Sequence, residues 1–305
     1  MRRLKLSQFQ SPGDICVLTA AIRDLHTAYP SQFTTELNTS CPAIWENNPL
    51  HQSAGDGAEE IYMEYPLIRQ SNECGLHMIH GFRLFMEEVL GVQIAQGPIR
   101  GCLHLSDDEQ DQECPFPCDS RPVWIINAGG KLDYTCKQWS YERYQEVVNQ
   151  TPDIHWVQVG AMEHEHPRLE NVTSLIGQTR QRELIVLASK VDGILTANSF
   201  PMHLAAAWQK PAVVINGGRE PRSWCQYEHQ VFLSNDGELD CCPNGGCWKS
   251  RVEPLNDGWA LGDGTLLDSK LCARPVQGAF GRLQPICMSM ITTGMVVTAI
   301  RGLLK

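Results

Sequence analysis

No apolar run in this chain reaches the roughly 20 residues that a membrane-spanning helix needs. The opening MRRLKLSQFQ has no apolar stretch of secretory-signal length behind its basic start, so the expected location is the cytoplasm. Positive charge is scarce as well: 25 Lys and Arg stand against 35 Asp and Glu, a formal net charge of −10. A broad electrostatic grip on nucleic acid or on an anionic membrane needs the opposite balance, which leaves at most a local basic groove. Internal repeats and low-complexity tracts are missing. So is an even number of cysteines: the 13 present cannot all pair within the chain, and where cysteines cluster in a cytoplasmic protein, metal binding is the better explanation.

What is present is globular. The chain is 42% hydrophobic with 8 Trp among its 305 residues, long enough for two α/β domains with their own cores. LKLSQ, SPGD and ICVLTAAIRDLHTAY read as strand, tight loop and amphipathic helix. FTTELNTS and EEIYMEY are further strands, and CGLHMIHGFRLFMEEVLGV is a long helix ending at Gly91. From about Gly97 to Arg121 an acidic run, DDEQDQE, and then CPFPCDSRP suit neither a helix nor a strand interior, which places an interdomain linker there.

Beyond it strands and helices alternate. VWIINAGG, IHWVQVG, VDGILTA and PAVVINGG are strands; WSYERYQEVVNQ, TRQRELIVLASK and PMHLAAAWQ are helices, with VTSLIG a short link. That rhythm predicts a parallel sheet covered by helices on both faces, with ligands at the carboxyl ends of its strands. Residues 240 to 290 break the rhythm, and CMSMITTGMVVTAIRGLLK reads as a C-terminal helix packed against both domains. The expected division is 1–115, 116–238, a cysteine module over 239–288 and a terminal helix over 289–305.

Several residues carry chemistry in this pattern. A helix entered through Asn198 and Ser199 leaves its first N–H groups free, a place for the phosphates of a nucleotide, although Ser199 as a plain N-cap satisfies the same sequence. His203 sits on the first turn of that helix. Lys137 follows a strand, where a cation offsets charge on a leaving phosphate; Lys131 competes for that role, and a solvated loop lysine is the plain alternative. Asp14 beside Gly13 is either a turn-and-cap residue or a general base. In CCPNGGCWKS with LCARP and QPICMSMI, Cys242, Cys247, Cys272 and Cys287 make a four-thiolate set for a structural zinc or a single iron, with Cys241 as a spare. Buried, unligated thiols are the alternative; Cys114 and Cys118 have no partners and stay unassigned.

Three stretches, SPGDICVLTAAIRDLHTAYP, INAGGKLDYTCKQWSYERYQEVV and LIVLASKVDGILTANSFPMHLAAAWQKPAVVINGG, resemble glycosyltransferase family 9, which contains the lipopolysaccharide heptosyltransferases. The resemblance implies a GT-B-type fold, two Rossmann-like domains with parallel sheets facing a cleft. It implies an inverting transfer of a heptose or hexose from a nucleotide diphosphate sugar, ADP-heptose leading, with no catalytic metal. It assigns Asp14 as base and Lys137 as cation, with Gly13, Lys131, Asn198, Ser199, Met202 and His203 on the donor. Where the family has a small Gly after Ser or Thr, this chain has Phe200, which favours a non-catalytic relative that only binds a nucleotide sugar as the rival reading. His77, His80 and Arg83 are acceptor-side candidates. The acceptor classes are a lipopolysaccharide core sugar, a protein side chain or a hydroxymethylated base of phage-type DNA. Some relatives that modify proteins bind iron through C-terminal cysteines, which agrees with the four-thiolate reading.

Overall fold

The computed structural model describes residues 1–116, 120–254, 270–278 and 282–304. Cys118 lies outside them. The chain opens with β1 (Arg2–Gln8), α1 (Pro12–Ala28) and β2 (Phe33–Thr39), followed by β3 (Glu59–Tyr62). These strands make a parallel sheet in the order β2-β1-β3. Leu4 and Leu6 point to one face of β1 and are fully buried, as period-two alternation requires. Ser11 enters α1 in extended geometry with Pro12 at the first turn, where a missing N–H costs nothing. Gly13 and Asp14 are therefore part of the helix's first turn rather than a loop before it, and the capping position belongs to Ser11.

The helix expected over residues 74 to 91 is shorter: α2 spans His80–Leu90 and ends on Gly91 in the left-handed region, φ 67° and ψ 35°. The end is as expected from the glycine; the start is not, because His77 sits in the preceding turn with its ring against the backbone of Ile79. The acidic run also holds a helix, α3 (Asp107–Asp111). Its Ser106 and Glu109 form a reciprocal capping box, and its acids face the positive helix end. Polar composition hid a short helix there.

The second sheet has six parallel strands in the order β6-β5-β4-β7-β8-β9: β4 (Val123–Asn127), β5 (His155–Gln158), β6 (Thr173–Ser174), β7 (Gly193–Ala197), β8 (Ala212–Gly217) and β9 (Gln230–Ser234). Every residue of β4, β7 and β8 is buried, the signature of strands covered on both faces. The stretch VTSLIG supplies the edge strand β6 rather than a bare link. The covering helices are α4 (Tyr141–Gln150), α5 (Gln181–Lys190) and α6 (Phe200–Ala207), with a short α7 (Arg222–Cys225) after β8. A hairpin, β10 (Pro275–Gln277) and β11 (Leu283–Pro285), leads into α8 (Ile286–Met290). The expected single terminal helix is two: Thr292 caps a separate α9 (Thr293–Leu303). Its Val296 and Ile300 join Trp124, Trp139 and Trp156 in the core of the second sheet, so it completes that domain.

One apolar core runs from Leu4 and Leu6 through α1 and α6 to Ile125, Val157 and Val214 of the second sheet. Arg182 on α5 ties the same junction from outside, donating to both oxygens of Glu109 at 2.8 and 2.5 Å and to the carbonyl of His104 at 2.7 Å. Among the described residues no helix is long and apolar enough to cross a membrane.

Candidate active site

The carboxyl ends of β4, β7 and β8 converge on the N-terminus of α1. Asn198, just past β7, donates to Asn216 at 2.8 Å and to Glu220 at 3.0 Å. Glu220, just past β8, is buried, pairs with Lys137 at 2.8 Å and touches Arg219. Burial alone would raise its pKa, but Lys137 and Arg219 outweigh that and hold it down at about 2. Lys137 ends a 3-10 turn over Leu132–Lys137, and its side chain keeps 27% of its surface exposed. Lys131 begins the same turn, is exposed, and uses its carbonyl to accept from Tyr134 at 3.2 Å. Of the two lysines, Lys137 is the one directed at the other charged groups.

Asp14 faces this pair from the first domain. Burial pushes its pKa up to about 6; Lys137 pulls it down and Glu220 pushes it up, so all three groups share one electrostatic environment. His203 lies below them, 6% exposed, with Nδ1 2.8 Å from the Tyr227 hydroxyl. Burial first, then Lys137, lowers its pKa to about 4, so the ring is neutral at pH 7. Nδ1 shares its hydrogen bond with the Tyr227 hydroxyl, which leaves Nε2 as the ring's other nitrogen. That nitrogen faces Gly13: a Cβ built there would stand 2.7 Å from it. We therefore expect Gly13→Ala to cost about 1–3 kcal/mol by overpacking, read as a lower urea midpoint, and the loss to shrink when His203→Ala is present too.

The helix entrance differs from expectation in its details. Ser199 is extended, φ −153° and ψ −177°, and its hydroxyl does not cap α6; it lies 2.9 Å from the Thr196 hydroxyl and donates to Asn127 at 3.4 Å. Phe200 needs no left-handed backbone because the chain enters through this extended serine, so the missing glycine leaves no strain. Met202 is fully buried in the apolar core, and its carbonyl accepts from Gln230 at 2.8 Å. His77 lies in the site's wall: its ring centroid is 4.4 Å from that of Tyr227, and its Nε2 is buried with no hydrogen-bond partner. Arg83 is committed to Glu87 at 3.1 Å and to the carbonyl of Ile94 at 2.9 Å. His80 has Arg83 and Asp24 as its charged neighbours, and Asp24 is ten residues along α1 from Asp14, roughly 15 Å at helical rise. Those two stand apart from the other candidates.

Beyond Glu220 the second sheet meets the cysteines. Cys241, Cys242, Cys247, Cys272 and Cys287 line a cavity of about 10 Å³, and so does Cys136, which the sequence reading did not include. A Cβ on Gly217 would approach the Cys287 sulfur to 3.2 Å, and one on Gly218 the Cys242 sulfur to 3.3 Å. The two glycines thus let thiols lie against the strand end. Thiolates are the donors that zinc and iron take, and the space suits one ion, so donor type and number fit such a metal. As they stand, no three His, Cys, Asp or Glu side chains among the described residues are gathered into a metal-holding group.

Glu220, Tyr227 and Cys136 escaped the sequence reading. For Glu220 a signal existed, since it follows a strand predicted to end at a ligand site.

The sequence model of glycosyltransferase family 9 (heptosyltransferase) matches residues 66–246, more than half of the chain. No curated protein matches. Among solved structures the chain is similar to the ADP-heptose lipopolysaccharide heptosyltransferase II of E. coli, at 16% identity and a TM-score of 0.60 over 100% of this chain and 98% of that one. A family 9 glycosyl transferase from Veillonella parvula superposes with a TM-score of 0.65 at 14% identity, over 99% and 97%. The iron-containing dodecameric glycosyltransferase TibC from enterotoxigenic E. coli does so at 0.64 and 16%, over 99% of this chain and 76% of that one. At such identities these likenesses establish the two-sheet fold, and the family match adds the lineage: the chain belongs to glycosyltransferase family 9, the heptosyltransferase family.

Proposed function

We propose that this protein transfers a heptose or hexose from a nucleotide diphosphate sugar, with ADP-heptose as the leading donor, to a hydroxyl acceptor with inversion at the anomeric carbon. The observation that carries the reading is the shared environment of Asp14, Lys137 and Glu220 where α1 of one sheet meets the strand ends of the other. A sugar hydroxyl is a weak nucleophile at neutral pH; Asp14, ionised above about 6, takes its proton as the new bond forms. Lys137 offsets charge on the departing diphosphate, while Glu220 holds the lysine in place before the donor arrives. In this reading the acceptor lies over residues 1–115 and the donor over 116–238.

The net charge of −10 weighs against duplex DNA as acceptor unless a local basic groove serves it, so a sugar or a protein side chain comes first. We place the protein in the cytoplasm, where its 13 cysteines stay reduced, and the thiol-lined cavity holds a structural zinc or iron. The test is release of nucleotide diphosphate from ADP-heptose and from ADP- and UDP-hexoses by the purified protein, alone and with lipopolysaccharide core or protein acceptors. Turnover with at least one donor is expected; binding of a donor with no hydrolysis or transfer would leave a binding protein in place of an enzyme.

A further inference from the structure

The 3-10 turn over Leu132–Lys137 belongs to two places at once. The backbone kinks at Tyr134 (φ −129°, ψ 41°), and past the kink Cys136 and Lys137 turn their side chains to different places. Lys137 reaches Glu220. Cys136, its neighbour, is buried and lines the cavity of the five downstream cysteines, Cys272 among them. The backbone reinforces the join. The Cys136 amide donates to the Ser250 carbonyl at 2.9 Å, and the Val252 amide donates to the Thr135 hydroxyl at 3.0 Å. Ser250 and Cys272 are linked in turn, through Ser250 to the Lys270 carbonyl at 2.8 Å and Cys272 to the Arg251 carbonyl at 2.7 Å.

We propose that Cys136 is one of the four ligands of the thiolate metal centre, beside Cys272 and two of Cys242, Cys247 and Cys287, and so a positioning residue for Lys137, tying the cation of the transfer site to the metal. The inference rests on the metal reading given under the proposed function. Three observations carry it: the shared cavity, the backbone ties of Thr135 and Cys136 to the segment that also holds Cys272, and the adjacency of Cys136 to Lys137 in the chain. The charge is consistent. Four thiolates around a divalent or trivalent ion leave a net negative centre, and Arg219 and Lys249 line the same cavity. The metal's part is structural: it fixes four sulfurs, and no step of the transfer passes through it.

The test uses the full-length protein. Wild type, Cys136→Ser and, as a control away from the cavity, Cys74→Ser are dialysed against a weak chelator and analysed for zinc and iron. Wild type and Cys74→Ser should keep about one metal per chain, and Cys136→Ser about tenfold less or lower. In cobalt-substituted Cys136→His, the thiolate charge-transfer absorption should drop by about a quarter, as one of four sulfurs is exchanged for nitrogen. In case the variants do not fold, amide hydrogen exchange over residues 132–137 is followed in wild type before and after chelation; exchange at least about tenfold faster without metal is expected. Full metal in Cys136→Ser, an unaltered cobalt spectrum in Cys136→His, or unchanged exchange over the turn overturns the role of Cys136 and leaves the centre standing. Wild type without metal overturns both.

Discussion

Asp14→Asn lowers sugar transfer by about 10²–10⁴-fold, the usual worth of a general base, while donor affinity stays near wild type. The asparagine has the shape of the acid but no lone pair basic enough to accept the acceptor's proton. The pH profile separates this from a general defect. With a pKa of about 6, the wild-type rate rises through that pH as Asp14 ionises, and the Asn variant loses this limb. Stability moves the other way. Asp14 is harder to ionise in the folded chain, so between pH 3.8 and about 6 the folded state holds more protons than the unfolded one and stability falls as pH rises. The Asn variant escapes that loss and unfolds at no lower denaturant concentration than wild type at pH 7. A variant with undiminished transfer would remove Asp14 from the mechanism.

Glu220→Ala has the largest expected effect on folding. It removes the partner of Lys137 and Arg219 together with the acceptor of the Asn198 amide, leaving buried charge uncompensated, for a loss of about 3–5 kcal/mol. Urea unfolding reads it as a lower midpoint with the slope unchanged. The sign with pH is opposite to that of Asp14. A pKa held near 2 against an ordinary 4.5 stabilises the fold above pH 4.5, and that contribution fades as pH falls toward 2; in Glu220→Ala this part of the acid sensitivity is gone. Adding Lys137→Met restores part of the stability and none of the transfer, because the cation we propose for the leaving diphosphate is then missing as well. A Glu220→Ala protein as stable as wild type would show that the buried cluster is not what holds this corner.

Much of this architecture was legible because its causes are local. The continuous apolar runs of β4, β7 and β8 announce strands buried on both faces, and Gly91 marks the end of α2 by its left-handed backbone. Gly13 with Asp14, and Asn198 through His203, stood out through the resemblance to family 9, since a turn and an N-cap satisfy the same residues on their own. What stayed hidden depends on distant partners. Glu220 reads as one more loop acid until Lys137 and Asn198 are brought to it. Cys136 reads as a lone thiol until the chain returns with Cys272. Tyr227 gains its place through the rings of His203 and His77. The helix in the acidic run was a different kind of miss: Ser106 and Glu109 carried its signal locally, and composition masked it.

The core shared through α1 and α6 has a consequence for how the molecule breathes. Two halves joined by greased side chains at their midline do not swing freely like the covers of a book. Gly13 seated on His203 acts as the spine of that book, and with the turn of Cys136 and Lys137 tied to Ser250, Val252 and Glu220, admission of a bulky donor falls to exposed side chains along the open margin.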